Sequence, residues 1–205
     1  MSASWVDWAA RLQALAQNGL EYAATPFDVD RYQAIRQIAA EMVAAGSGLP
    51  IDQVLGRMSG ELGYATPKVD VRGAVFQDDA LLLVRERRDH CWTLPGGWAE
   101  VGLSPAENVE REVFEESGYR TRAVKLLAVY DRGKHPHPPH PHHIYKIFFL
   151  CQLMGGEASS STETEGAAFF REGEIPELSV ARVTPAQIGR MFDHHRHPEW
   201  PADFD

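Results

Sequence analysis

Apolar residues recur at helical spacing over the first third of this chain and alternate, as they do in strands, over the rest. Trp5, Trp8, Leu12 and Leu15 repeat every three or four positions. They predict a helix that Ser4 caps and Asn18-Gly19 ends. Tyr32, Ile35, Ala39 and Met42 mark one face of a second helix, opened by Asp28 or Asp30 and stopped by Gly46. Ile51, Val54, Leu55 and Met58 predict a short third helix from Pro50, and residues 63–67 read as a linker. So small a helical unit has a marginal core of its own. Its aromatic stripe (Trp5, Trp8, Tyr32) is therefore expected to pack elsewhere, on the rest of the chain or on a second subunit.

From Lys68 the period changes. Val69, Val71, Gly73 and Val75 alternate with other residues, Asp78-Asp79 makes a turn, and residues 80–84 form an apolar run. Residues 92–94, 124–130, 144–153 and 167–170 predict further strands, with a Gly-, Ser-, Thr- and Glu-rich loop over 155–166. Thr184 caps a last helix with Pro185 at its first position, running to about His194; His194, His195 and His197 are expected at the surface. Strands broken irregularly by a few helices predict a mixed sheet with helices on its faces. The class is α+β, with a helical domain over 1–66 and a sheet domain over 67–205.

One helix works against its own electrostatics. Ser104 is a good N-cap, Pro105 suits the first position, Glu107 completes a capping box and Gly118 is a left-handed stop. Yet Glu112, Glu115 and Glu116 fall within one arc of about 100°, and like neighbours at this spacing cost roughly 0.2–0.5 kcal/mol per pair. Glu115 and Glu116 also sit at the negative end of the helix dipole, at roughly 0.3–1 kcal/mol each. Ala106, Val109 and Val113 line the adjacent arc, so the acids sit at the edge of a buried stripe. Hard divalent cations take such oxygen ligands.

The net charge of −9 argues against a broad nucleic-acid surface. It leaves room for a phosphorylated small molecule, because a bound cation inverts the local sign. No apolar run approaches the roughly 20 residues of a membrane helix, and the amino terminus lacks a signal-peptide pattern. Cys91 and Cys151 form no motif, which makes a reducing cytoplasm the default compartment.

The stretch from Gly97 to Tyr119 resembles the Nudix box: Gly, five residues, Glu, seven residues, Arg-Glu, an apolar residue, any residue, Glu-Glu, any residue, Gly, apolar. Gly97, Arg111, Glu112, Val113, Glu115, Glu116, Gly118 and Tyr119 fall in register. The first glutamate of the pattern is replaced by Leu103, with Glu100 three residues earlier. The resemblance implies an α/β/α sandwich and metal-dependent hydrolysis of a nucleoside diphosphate linked to a group X. Glu112 and Glu116, one turn apart, are then the first choice of ligands for Mg²⁺ or Mn²⁺. Glu115 is a further ligand or the base that takes the water proton, and Arg111 an orienting partner for a glutamate. Gly96 and Gly97 let the backbone approach metal or phosphate, and in the family the Gly97 carbonyl is often a metal ligand. Gly96 and Glu100 are grouped as candidate substrate contacts. Glu163 or Glu165, in the loop before the Phe169-Phe170 strand, is a second candidate base.

The helical amino-terminal unit, the Gly-Leu-Ser-Pro version of the box around Leu103, Asp131-Arg132-x-Lys134-His135 and His143-Ile-Tyr-Lys-x-Phe-Phe149 together resemble one Nudix subgroup. It carries the amino-terminal domain of hydrolases of X-linked nucleoside diphosphates. The likeness implies CDP-choline-like substrates, with ADP-ribose next, and a homodimer. A nucleotide-sensing Nudix domain without catalysis is the alternative; the intact acidic cluster argues against it. The segment 134–145 holds five of the nine histidines (His135, His137, His140, His142, His143). Its prolines keep it extended and prevent a helix-spaced ligand pair. It is read as a proline-rich loop or a pocket wall, with a transition-metal site as the alternative.

Overall fold

A computed structural model describes residues 5–205. Ser4, the expected first cap, lies outside them. The chain divides into two compact units, Met1–Pro67 with Pro139–His143, and Lys68–Pro138 with Ile144–Asp205.

The first unit is three helices: α1 (Trp5–Tyr22), α2 (Pro26–Ser47) and α3 (Ile51–Ser59). Both expected glycine stops are overrun. At Gly19 a Cβ would come within 2.2 Å of the Tyr32 ring, and at Gly46 within 2.4 Å of the Trp5 ring. These glycines admit aromatic rings from the neighbouring helix rather than end their own. Trp5 and Tyr32 thus make contacts within the unit, although Trp5 and Trp8 both remain exposed. The left-handed cap of α2 is Gly48. Its start is Thr25, whose hydroxyl accepts from the Asp28 N–H, so Asp28 lies in the first turn rather than at the cap.

The second unit is built on strands β1 (Lys68–Gln77), β2 (Ala80–Glu86), β3 (Trp92–Thr93), β4 (Tyr119–Asp131), β5 (Ile144–Gly156), β6 (Thr164–Phe170) and β7 (Asp203–Phe204), with helices α4 (Pro105–Ser117) and α5 (Pro185–Arg196). The sheet runs β3-β2-β1-β5-β4-β7, with β6 on β2. β1 and β5 are parallel, as are β4 and β7, and the other pairs are antiparallel. Pattern placed the starts of β4 and β6 too late, and it left β7 out because two residues carry no period.

Side chains alternate between two cores. Val71, Val75, Val109, Val113 and Cys151 pack under α4, whereas Ala74, Ala128, Tyr130, Phe148, Ile188 and Met191 pack under α5. This is the expected α/β/α sandwich. The Ser104 capping box and the Thr184 capping box both form. His194 is a correction: α5 extends to Arg196, so His194 is buried, 3.2 Å from Asp203. Among the described residues no helix is long and apolar enough to cross a membrane.

Candidate active site

The loop after β3 is laced along the edge of β1. Gly73 N–H donates to Pro95 O at 2.9 Å, Val71 N–H to Gly97 O at 2.8 Å, and Ala99 N–H to Val69 O at 2.9 Å. This brings Gly96 and Gly97 against the carboxylates of α4. Gly96 has φ 140°, and a Cβ there would meet Val71 O at 2.0 Å, so only glycine fits. Its N–H donates to Glu116 Oε2 at 2.8 Å. A Cβ on Gly97 would come within 2.7 Å of Glu112 Oε2. The glycine pair therefore keeps the space beside both carboxylates open, and Gly96 spends its N–H on Glu116 rather than on a phosphate.

Of the three box acids on α4, Glu116 is buried, Glu112 half-buried and Glu115 exposed. Burial raises the pKa of Glu116 to about 8, against the opposing charge of Arg72 and the Gly96 hydrogen bond. Burial raises Glu112 as well. A cation beside them restores the ionised form that the protein alone disfavours. Among the described residues no three His, Cys, Asp or Glu side chains make a complete ligand set. Two carboxylates nevertheless match Mg²⁺ when water and phosphate complete its shell, so the donor set fits the implied ion.

Glu115 parts from its neighbours. It is exposed and accepts from Arg111 Nε at 2.7 Å, while Arg111 Nη1 pairs with Glu100. Arg111 thus clamps Glu100 to Glu115 at the rim, and its hydrogen bonds go to these two acids rather than to Glu112 or Glu116. Of the two candidates expected in the loop, Glu165 lies on β6, which begins at Thr164, and is drawn to His90 Nδ1 at 2.8 Å and Arg85 at 3.5 Å. Glu163 is exposed, and its charge acts on both Glu112 and Glu86.

Leu103 finds its explanation in Asn108. The Asn108 side chain donates to the carbonyls of Glu100, Leu103 and Ser104, and accepts from Glu100 N–H at 2.8 Å. The loop is held by this buried amide, and the Leu103 side chain lies at the surface.

Sequence pattern did not single out the buried charges behind the acids. Arg72 grips Asp70 with two hydrogen bonds, at 2.9 and 2.8 Å, and donates to Leu94 O at 3.1 Å. Lys146 Nζ reaches Asp70 at 2.6 Å. Burial alone would raise Asp70, but Arg72 and Lys146 hold it at about 2. Glu86, also buried, pairs with Arg182 at 2.6 Å. The available signal was three polar residues, Asp70, Arg72 and Lys146, set inside otherwise apolar strands. In the histidine segment, His135 meets Asp205 at 3.1 Å and His137 donates to Val180 O at 2.8 Å.

Comparisons with known proteins agree with this arrangement. A sequence model of the NUDIX domain matches residues 66–192, and one described as the UDP-X-like N-terminal oligomerisation domain matches residues 3–56. A Bacillus subtilis (strain 168) protein provisionally named an ADP-ribose pyrophosphatase is 48% identical over 98% of this chain and 97% of its own length. A solved UDP-X diphosphatase has a TM-score of 0.64 at 32% identity, covering 98% of each chain. A solved ADP-ribose pyrophosphatase from Streptococcus suis has a TM-score of 0.63 at 38% identity, covering 68% of this chain and 100% of its own.

Proposed function

This chain belongs to the Nudix hydrolase family, and from that premise we propose that it cleaves the pyrophosphate bond of ADP-ribose or a related nucleoside diphosphate linked to X. The observation that carries this reading is a buried carboxylate, Glu116, and a half-buried one, Glu112, gathered beside the Gly96-Gly97 loop. The full-length relative named for ADP-ribose supports the choice of substrate. The UDP-X diphosphatase likeness puts UDP-linked compounds next, and CDP-choline, which the sequence favoured, third.

Glu112 and Glu116 would hold Mg²⁺ or Mn²⁺, with the Gly97 carbonyl as a further oxygen. Such a cation, once bound, would neutralise the diphosphate and make its phosphorus more open to attack. Glu163 takes the proton of the attacking water as the new P–O bond forms and the anhydride P–O bond breaks, leaving a nucleoside monophosphate and phospho-X. Glu115 is the second choice of base, because Arg111 already holds its carboxylate. Arg111 positions the rim through Glu100 and Glu115. The domains are residues 1–66 and 67–205, and the helical one joins two copies into a homodimer.

A panel of ADP-ribose, UDP-glucose and CDP-choline, each with Mg²⁺ or Mn²⁺, tests the reading by release of monophosphate. ADP-ribose is expected to turn over fastest, with no turnover in chelator. Binding of all three without turnover would turn the assignment to a nucleotide sensor. Glu163→Gln is expected to lower kcat by about 10²–10⁴, whereas Glu165→Gln stays near the parent rate.

A further inference from the structure

Among the described residues two arginines are buried, Arg72 and Arg132, and only Arg72 is paired with a carboxylate. Arg132 opens the turn between β4 and β5, where the Asp131 side chain accepts from Gly133 N–H at 2.8 Å and fixes the backbone. Its residue is 7% exposed. Among the described residues its side chain makes one hydrogen bond, to Ala181 O at 3.3 Å, and no carboxylate lies within the 4.0 Å of an ion pair. A guanidinium carries five N–H donors, so most of its capacity is unspent.

Its surroundings add positive charge. Lys146, on β5 opposite Tyr130 of β4, is 2% exposed. Asp70, the acid whose charge acts on Arg132, is already engaged by Arg72 and Lys146. Arg72 also feels the charges of Glu116 and Glu86, whereas Asp70 is the one acid whose charge acts on Arg132. Beside these cations stands His137. Val180 O can only accept, so Nδ1 carries the proton and Nε2 is a bare lone pair, buried and without a partner. Burial, reinforced by the charges of Lys146 and Arg132, keeps the ring neutral. Buried cations and acceptors of this kind are normally matched. The group that completes both is an anion with an attached hydroxyl.

We propose that Arg132, backed by Lys146 and flanked by the His137 acceptor, is an anion anchor that takes a phosphoryl group of the substrate. The anchor rests on the pyrophosphatase reading and divides its labour: the glutamates hold cations, and this cluster holds a phosphoryl oxygen through the protein alone. Charge-assisted bonds from a guanidinium fork to phosphate are strong and directional. A sugar hydroxyl beside the phosphate donates to His137 Nε2.

Calorimetric titration of AMP and of inorganic phosphate into the full-length, chelator-treated protein tests the anchor without any metal. The parent protein is expected to bind both, and Arg132→Gln to weaken both at least about tenfold, with Arg132→Lys recovering part of the loss. The unfolding midpoint of Arg132→Gln is expected at or above that of the parent, because the variant removes an unpaired buried cation. A lowered midpoint with unchanged affinity, or no binding by the parent protein, overturns the proposal. No turnover is read here, so the substrate panel can fail while the affinity contrast stands. An unchanged affinity sinks the anchor and leaves the hydrolase assignment intact.

Discussion

Two arginines flank the glutamate face, and they do opposite work. Arg111 belongs to the box pattern, yet its side chain is 40% exposed and joins two exposed acids, Glu100 and Glu115. Arg72 belongs to no pattern, yet its side chain is 5% exposed; it locks onto Asp70 and its charge acts on Glu116. In water an ion pair gains little because the solvent already stabilises both charges. Out of water, each member becomes the other's solvation, and removing one strands the other. The position that a motif marks is therefore the weaker lever on stability, and the unmarked one sets the charge balance behind the acids.

The largest expected effect lies on the acids themselves. Glu116→Gln is expected to lower kcat on the order of 10³-fold while moving the unfolding midpoint by no more than about 2 °C. Without a cation the Glu116 carboxyl, at about 8, is mostly protonated at neutral pH. Glutamine replaces that form with nearly the same shape. The rise in midpoint on adding Mg²⁺ to the parent protein is expected to vanish in the variant. Near-parent activity in saturating metal would remove Glu116 from the site.

Arg72→Met comes next, with an expected loss of about 3 kcal/mol by urea unfolding. Asp70 would keep Lys146 but lose two hydrogen bonds, and the Leu94 carbonyl would lose its donor. Asp70 itself gives a finer test. Its ionised form belongs to the folded state, with a carboxyl at about 2 against 3.8 in the unfolded chain. The resulting stability, about 2 kcal/mol, is complete above about pH 4 and is lost as pH falls toward 2. Carboxyl ¹³C NMR checks it directly: a midpoint for Asp70 at or above 3.8 would mean that Arg72 and Lys146 do not hold it.

What the sequence revealed follows the same division. The capping residues of α4, Ser104, Pro105, Glu107 and Gly118, act over three or four positions, and they were legible to the residue. Gly19 and Gly46 look the same locally as stops, but a ring from another helix decides their use, and no local window holds that ring. Asp70 and Lys146 lie 76 positions apart and meet only through the register of β1 on β5. Polar residues inside apolar strands announced buried charge without announcing the partner. Glu163 and Glu165 were equivalent as letters; His90 and Arg85 separate them by drawing one away.

The smallest expected effect closes the comparison. Arg111→Ala is expected to leave the urea midpoint close to that of the parent, since both of its pairs are exposed and screened. Its effect on turnover is expected to stay below about tenfold, because Glu112 and Glu116 keep their own contacts with the glycine loop. Salt separates the two arginines further. Moving to high ionic strength should erase the remaining Arg111 contribution and leave that of Arg72 in place, since screening reaches rim charges and not those within the sheet. If Arg111→Ala instead costs as much as Arg72→Met in urea, the rim clamp is structural. Glu115, freed in that variant, would then be the acid to examine as the base.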